Sequence, residues 1–187
     1  VNNGAVMQAY SLSNRIQKDH PDATVEIIDY RMPKVTKNYS FGLLSYLKSG
    51  SFKIFVAKCL TMLRNPLYLR RMRKRTQVFN DCLSTLPLSP QTITEDDTDT
   101  LFPYINENYD ILIVGSDAIW NHISRGFPNP YLPSTAIKCK KLSYAASCYG
   151  MDFLNCSNEK REIIGENLEE FEFIGVRDKA TEDFVSW

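Results

Sequence analysis

Histidine is nearly missing from this chain, which holds only His20 and His122 among 187 residues. Neither stands at ligand spacing from another histidine or from a cysteine pair, so no zinc or other metal site is expected. His20 precedes Pro21 and reads as a solvated residue at a helix end, whereas His122 sits just after one of the motifs described below. Cysteine is scarce as well. Cys59, Cys82, Cys139, Cys148 and Cys156 form no CxxC pair and are odd in number, which argues against a disulfide framework and for reduced thiols. No apolar run approaches the roughly eighteen residues that a bilayer-spanning helix requires. Val1 to Asp19 lacks a basic stretch followed by an apolar block, so no secretory signal is read there. Together these absences lead to an expected cytoplasmic location.

One further scarcity is local. Between Tyr30 and Asn80 there are twelve Lys or Arg and no Asp or Glu, whereas the stretch after Asn80 carries eighteen acids against eight bases. The formal net charge is zero, so the signs are segregated rather than unbalanced. Interleaved charges would make an ordinary solvated surface; segregation calls for a reason. The densest cluster, Arg70-Arg71-Met72-Arg73-Lys74-Arg75, suits an anionic substrate, a membrane surface or a nucleic acid, or else a helix face that pairs with the acidic half.

What is present is a globular composition, 43% hydrophobic with ordinary Gly and Pro usage. Ala5 to Lys18 has a helical apolar pattern that Pro21 stops, and Thr24 to Tyr30 is a short β-rich run. A turn, a helix and a strand in that order form the second half of a βαβ unit, whose first strand is expected before Val1. Loss of that strand would expose a neighbour's edge and favour homo-oligomer formation. Phe52 to Leu63 is a candidate helix, and Asn65-Pro66 starts another that runs to about Leu83. Ser89 to Thr100 reads as a polar, acidic connector. Tyr109 to Gly115 holds four consecutive apolar residues, the pattern of a parallel strand covered on both faces. Gly126 to Pro133 reads as a Pro-rich loop, Lys141 to Ala146 as a strand, and Ser157 to Glu170 as a helix capped by Ser157. Phe171 to Val176 is a strand, and Asp178 to Trp187 begins a last helix. Strands that alternate with helices predict an α/β fold with a Rossmann-like parallel sheet flanked by helices. The expected organisation is one domain over 1–187, with a basic helical insert at 39–80 and a further C-terminal domain beyond Trp187.

In such folds the site lies at the carboxyl ends of the strands, and four segments fall there. Asn2-Asn3-Gly4 opens the first helix, where free backbone N–H groups suit a phosphate or carboxylate, although packing alone also explains a glycine at that place. Gly115-Ser116-Asp117 follows the clearest strand. Gly115 permits a tight turn, and Asp117 can act as a base or orient a sugar hydroxyl. Ser-Asp is also a good helix-capping pair. The segment lacks the GxSxG elbow and a suitably placed histidine, which speaks against a serine hydrolase. Trp120 and Asn121 come next in the same segment. Leu142 to Ser147 ends in small residues that leave room for a ligand or for close packing. Arg177, at the end of the last strand, offers a planar fork for an anion, or else a surface ion pair with Asp178.

The order NNGAVMQAYSL, VEIIDYR, YDILIVGSDAIWN, KLSYAAS and FIGVRDKATEDF resembles the polysaccharide pyruvyl transferase family over nearly the whole chain. The GSD-x-x-W-N and SYAAS segments are its most specific parts, and residues 39–80 the least characteristic. The chain departs from the family pattern at Asn3, where an aromatic residue is common, and at Ala118, where Gln is common. The resemblance implies a two-domain fold similar to GT-B glycosyltransferases, with the site in the cleft. It implies transfer of a pyruvyl group from phosphoenolpyruvate to two hydroxyls of a sugar or lipid-linked saccharide, with no cofactor besides that donor. On this reading Asp117 and Arg177 are the catalytic candidates: Arg177 holds an anionic group, while Asp117 and Asn121 hold acceptor hydroxyls. Asn2, Gly4, Gly115, Ser116 and Ser147 line the ligand, and Trp120 stacks on a sugar ring. The general acid is expected in the C-terminal part. The basic helices suit peripheral contact at the inner membrane face, and nucleic acid is not an expected partner because the net charge is zero. Two other readings stand beside this one: a sugar-nucleotide glycosyltransferase of similar fold, and a divergent carbohydrate-binding domain without catalysis.

Overall fold

The computed structural model describes residues 3–31, 56–57, 60, 64–94, 98–121, 130–133, 135–149 and 156–186. Backbone contacts divide the chain into two compact units, Val1–Asp96 and Asp97–Trp187. Both are built from parallel strands and helices, as the α/β pattern predicts. The described strands pair as two sets, a two-stranded sheet and a three-stranded sheet.

The first unit opens with helix α1 (Asn3–Asp19). It stops where a residue preceding proline can no longer keep helical geometry, at His20-Pro21. Strand β1 (Ile27–Tyr30) is shorter than the β-rich run suggested. Helix α2 (Pro66–Leu83) starts with proline in its first turn, where no intrahelical N–H partner is needed, as Asn65-Pro66 predicts. Of the candidate helix at Phe52–Leu63, Val56, Ala57 and Leu60 are described and are helical; its other residues and much of the 39–80 segment lie outside the described residues.

Strand β2 (Leu88–Ile93) is a correction, because it occupies the first part of the expected connector. It pairs in parallel with β1, Ile27 beside Leu88 and Tyr30 beside Ile93. Its sequence, Leu-Ser-Pro-Gln-Thr-Ile, conceals the strand because polar groups take up the pairing. The Ser89 hydroxyl accepts from the Asp29 N–H at 3.0 Å and donates to the Gln91 carbonyl at 2.9 Å. A register shift between Ile27 and Asp29 absorbs Pro90, which has no N–H to give.

The second unit begins with helix α3 (Thr98–Asn108), which buries Leu101, Phe102 and Ile105 despite Pro103 in its interior. Its first residues correct the connector reading at its other end. Strands β3 (Ile111–Asp117), β4 (Lys140–Ala146) and β5 (Phe171–Val176) follow, with helix α4 (Asn158–Glu169) before β5 and helix α5 (Lys179–Val185) after it. The sheet order is β3-β4-β5, all parallel. Ser157 caps α4 as expected, its hydroxyl accepting from the Lys160 N–H, and Asp178 caps α5 by accepting from Thr181.

One face of this sheet forms the core. Val114, Phe171 and Ala146 pack with Ile119, Trp120, Cys148, Ile164 and Leu168 of α4, and Phe184 of α5. Ile111, Ile113, Tyr144 and Phe173, on the other face, are exposed. At the amino end of β4 the buried Lys141 ammonium donates to the Ile137 carbonyl at 2.7 Å and pairs with Glu170 at 3.1 Å. That pairing satisfies a charge that burial would otherwise penalise, and it ties β4 to the turn before β5. It lies at the sheet end opposite the candidate site. No described helix is long and apolar enough to cross a membrane.

Candidate active site

Register places the expected residues side by side. Asp117 on β3 pairs with Ala146 on β4, and Ala146 pairs with Val176 on β5. The chain after each strand is then tied to its neighbour: the Ser147 N–H donates to the Asp117 carbonyl at 3.0 Å, and the Arg177 N–H to the Ala146 carbonyl at 3.0 Å. Three residues that are far apart in sequence thus share one carboxyl edge.

The strand ends are conformationally unusual. Gly115 has φ +156°, and a Cβ built there would meet the Tyr144 carbonyl oxygen at 2.0 Å. Only glycine lets β3 approach β4 so closely. Its peptide bond to Ser116 is cis. Asp117 has φ +81° and Ala145 +51°. Asp tolerates the left-handed region better than most residues, and alanine pays on the order of 1 kcal/mol there. Positive φ values at non-glycine residues gather where a backbone must aim side chains rather than continue a sheet.

They aim two opposite charges at each other. Arg177 Nη1 lies 3.9 Å from Asp117 Oδ1, with the side chains 45% and 39% exposed. The pair is reachable from solvent, and its separation exceeds a direct hydrogen bond. Gly115 is exposed, while Ser116 and Asn121 are half-buried. The Asn121 N–H donates to the Ala118 carbonyl at 3.4 Å, closing the turn after β3.

Two expected contacts are corrected by burial. Trp120 is only 2% exposed. Its ring meets Phe171 edge-on at a centroid distance of 5.9 Å and Phe184 at 6.4 Å, and its indole N–H donates to the Tyr131 carbonyl at 2.8 Å. Its faces are taken by the core, so stacking on a sugar gives way to packing. Ser147 is 1% exposed, and its hydroxyl accepts from the Tyr149 N–H at 3.0 Å while bonding to the Asp178 carboxylate. It shapes the edge without facing a ligand.

Asp178 is the centre of that support. Its carboxylate also accepts from the Thr181 hydroxyl at 2.8 Å and the Thr181 N–H at 3.0 Å, and the same hydroxyl accepts from the Cys148 N–H at 2.9 Å. Hydrogen bonds from Ser147, then Thr181, outweigh desolvation and hold the Asp178 carboxyl below its ordinary value. Asp178 therefore serves chiefly to cap α5 and brace β4, rather than to pair with Arg177 as the sequence also allowed.

Of the remaining expected residues, Gly4 lies exposed in the first turn of α1, in the first unit, whereas Asp117, Asn121 and Arg177 belong to the second. Asn2 and His122 lie outside the described residues. Among the described residues no group of three or more His, Cys, Asp or Glu could hold a metal ion.

A second polar cluster, at the carboxyl end of β1, was not singled out from the sequence. Arg31 grips Asp29 with both arms of its fork, Nε to Oδ1 and Nη2 to Oδ2, each at 2.7 Å. Thr92 of β2 donates to the same carboxylate at 2.7 Å. Burial raises the Asp29 pKa, but the Arg31 and Thr92 hydrogen bonds and the Arg31 charge together bring it below its usual value. The signal was the acid-x-base spacing in Ile-Asp-Tyr-Arg at a strand end.

Against this geometry, comparison with known proteins returns one result. A family model described as "Polysaccharide pyruvyl transferase" matches residues 2–186. No curated protein and no solved structure matches the chain.

Proposed function

Because this chain belongs to the polysaccharide pyruvyl transferase family, we propose that it takes part in transferring a pyruvyl group from phosphoenolpyruvate to a sugar as a ketal. The match over residues 2–186 is the observation that carries the reading. In this reaction the donor's methylene carbon gains a proton and two sugar hydroxyls attack the adjacent carbon. The bond to the phosphate oxygen breaks, and inorganic phosphate leaves. One hydroxyl proton is balanced by the new methyl group and the other by the released phosphate.

The arrangement at the carboxyl edge supports specific roles. Arg177 presents its fork to the donor's carboxylate or phosphate, a planar match that a lysine would lack. Asp117 orients an acceptor hydroxyl and draws off its proton, with Asn121 holding the neighbouring hydroxyl. The 3.9 Å separation keeps the two charges poised, since an incoming anion takes over the Arg177 side and releases Asp117 toward the acceptor. Gly115 and Ser116 form the floor of the edge. In the first unit, taken by itself, the exposed first turn of α1 at Gly4 offers backbone N–H groups suited to an anion. The overall architecture is of the GT-B kind, the acceptor a lipid-linked saccharide of a cell-surface polysaccharide, and the setting the cytoplasm.

The test is incubation of the protein with phosphoenolpyruvate and a panel of lipid-linked and free oligosaccharides, reading phosphate release and the ketal methyl signal by NMR. Acceptor-dependent release that collapses in Arg177→Ala and Asp117→Asn is expected. Release with no acceptor dependence, or thermal stabilisation by nucleotide sugars alone, would overturn the assignment.

A further inference from the structure

The charge segregation read from the sequence acquires a shape in helix α2. Five of the twelve basic residues between Tyr30 and Asn80 fall within it, at Arg70, Arg71, Arg73, Lys74 and Arg75, and Asp81 in its last turn is its one acid. Residues 67, 71, 74 and 78 follow the spacing of a single helix stripe. On that stripe Leu67 and Val78 are 55% and 58% exposed, and the residues between them are Arg71 and Lys74. A solvated face places polar residues between its cations, and a core face buries its aliphatics. This stripe does neither.

Beside it runs a groove of about 570 Å³ lined by Val6 and Met7 of α1 with Arg71, Lys74, Arg75 and Val78 of α2. Met7 is 57% exposed. Aliphatic side chains and cations therefore alternate over a surface made by two helices of the same unit.

We infer that this surface docks on an anionic phospholipid bilayer. An interfacial helix inserts exposed aliphatic side chains at the boundary between headgroups and acyl chains, while lysines and arginines beside them meet the phosphates. Leu67, Val78 and Met7 supply the first requirement; Arg70, Arg71, Lys74 and Arg75 supply the second. The aliphatic side chains of Leu67, Val78 and Met7 suit the boundary of a bilayer, and Phe79, which also lines the groove, adds apolar surface there. No spanning helix is needed. Docking here involves neither Asp117 nor Arg177, so it stands or falls apart from the transfer reaction.

The experiment is co-sedimentation of the chain with vesicles of phosphatidylglycerol and phosphatidylcholine, against vesicles of phosphatidylcholine alone, without donor or acceptor. Binding to the anionic vesicles that falls steeply with added salt is expected. Arg71→Gln/Lys74→Gln/Arg75→Gln should weaken it on the order of 100-fold, since each basic residue near such a surface is worth about a five-fold gain. Leu67→Ser/Val78→Ser should weaken it several-fold at unchanged charge. These side chains are exposed, and circular dichroism checks that both variants keep their helices. Equal binding to neutral vesicles, no binding, or binding unchanged in both variants would overturn the inference. So would displacement by inorganic phosphate at constant ionic strength, which would indicate a phosphate pocket, or tighter binding to RNA than to the vesicles.

Discussion

Arg177 and Asp117 face each other across the middle strand, Nη1 to Oδ1 3.9 Å apart, one following β5 and the other ending β3. A pair this exposed contributes little to folding, roughly 0–1 kcal/mol. Under the proposed function, its placement at the carboxyl edge serves an anion and a hydroxyl. Removing either charge should therefore cost activity far more than stability. Arg177→Ala and Asp117→Asn are each expected to lower the transfer rate by about 100-fold or more, with melting temperature nearly unchanged. Arg177→Lys should recover little, because a point charge does not replace the fork. Parallel rate and melting measurements decide the matter; equal losses of both would assign the pair to folding.

Gly115→Ala tests the close approach of β3 to β4. With the Tyr144 carbonyl oxygen 2.0 Å from where a Cβ would sit, no rotamer can relieve the clash. The strands must separate or β3 must bend, at an expected cost on the order of 3 kcal/mol. Urea denaturation reads it directly. A variant as stable as the parent chain would show that the edge adapts freely.

Trp120→Ala should destabilise the protein by about 3–5 kcal/mol, the usual cost of emptying a large aromatic site in a core. Trp120→Phe should recover part of this, but it leaves the Tyr131 carbonyl without its indole donor. If Trp120→Ala instead lost acceptor affinity while keeping full stability, the sugar-stacking role would return.

Asp178→Ala removes the α5 cap and the acceptor for Ser147 and Thr181 together. A loss of about 1–3 kcal/mol is expected. Asp178→Asn should lose less, since an amide oxygen still accepts from Thr181. Thermal melts of the two variants give the comparison, and identical losses would contradict the capping role.

Asp29 and Asp178 both have folded-state pKa values below the ordinary carboxylate value. The sign follows from proton linkage: their stabilisation is complete above the unfolded value of about 4 and is lost as pH falls through the lowered folded value. Stability should therefore decline from about pH 5 toward pH 2. In Asp29→Asn/Asp178→Asn the decline should be shallower, because two of the groups that take up protons on unfolding are gone. Denaturation midpoints across that range provide the check, and parallel curves for variant and parent would argue against the pairing.

Local chemistry determined much of this protein without reference to its fold. Pro21 and Asn65-Pro66 bound α1 and α2, Ser157 and Asp178 announce the caps of α4 and α5, and the aliphatic runs ending at Gly115 and Val176 mark two strands of the sheet. Each of these signals acts through a neighbour a few residues away, so the order of amino acids is enough. Asp117 and Arg177 could be picked out as strand-end residues in the same way, but not as partners. Their meeting depends on the order β3-β4-β5 and on a register that aligns Asp117, Ala146 and Val176. Strand β2 escaped notice because its polar side chains are satisfied by β1, a partner that lies far away in the chain. The resemblance implies a sugar-stacking role for Trp120, but Phe171 and Phe184 close on its ring. In each of these cases the deciding contact joins distant segments. Burial and long-range hydrogen bonding belong to the assembled fold, and an isolated segment has no means of expressing them.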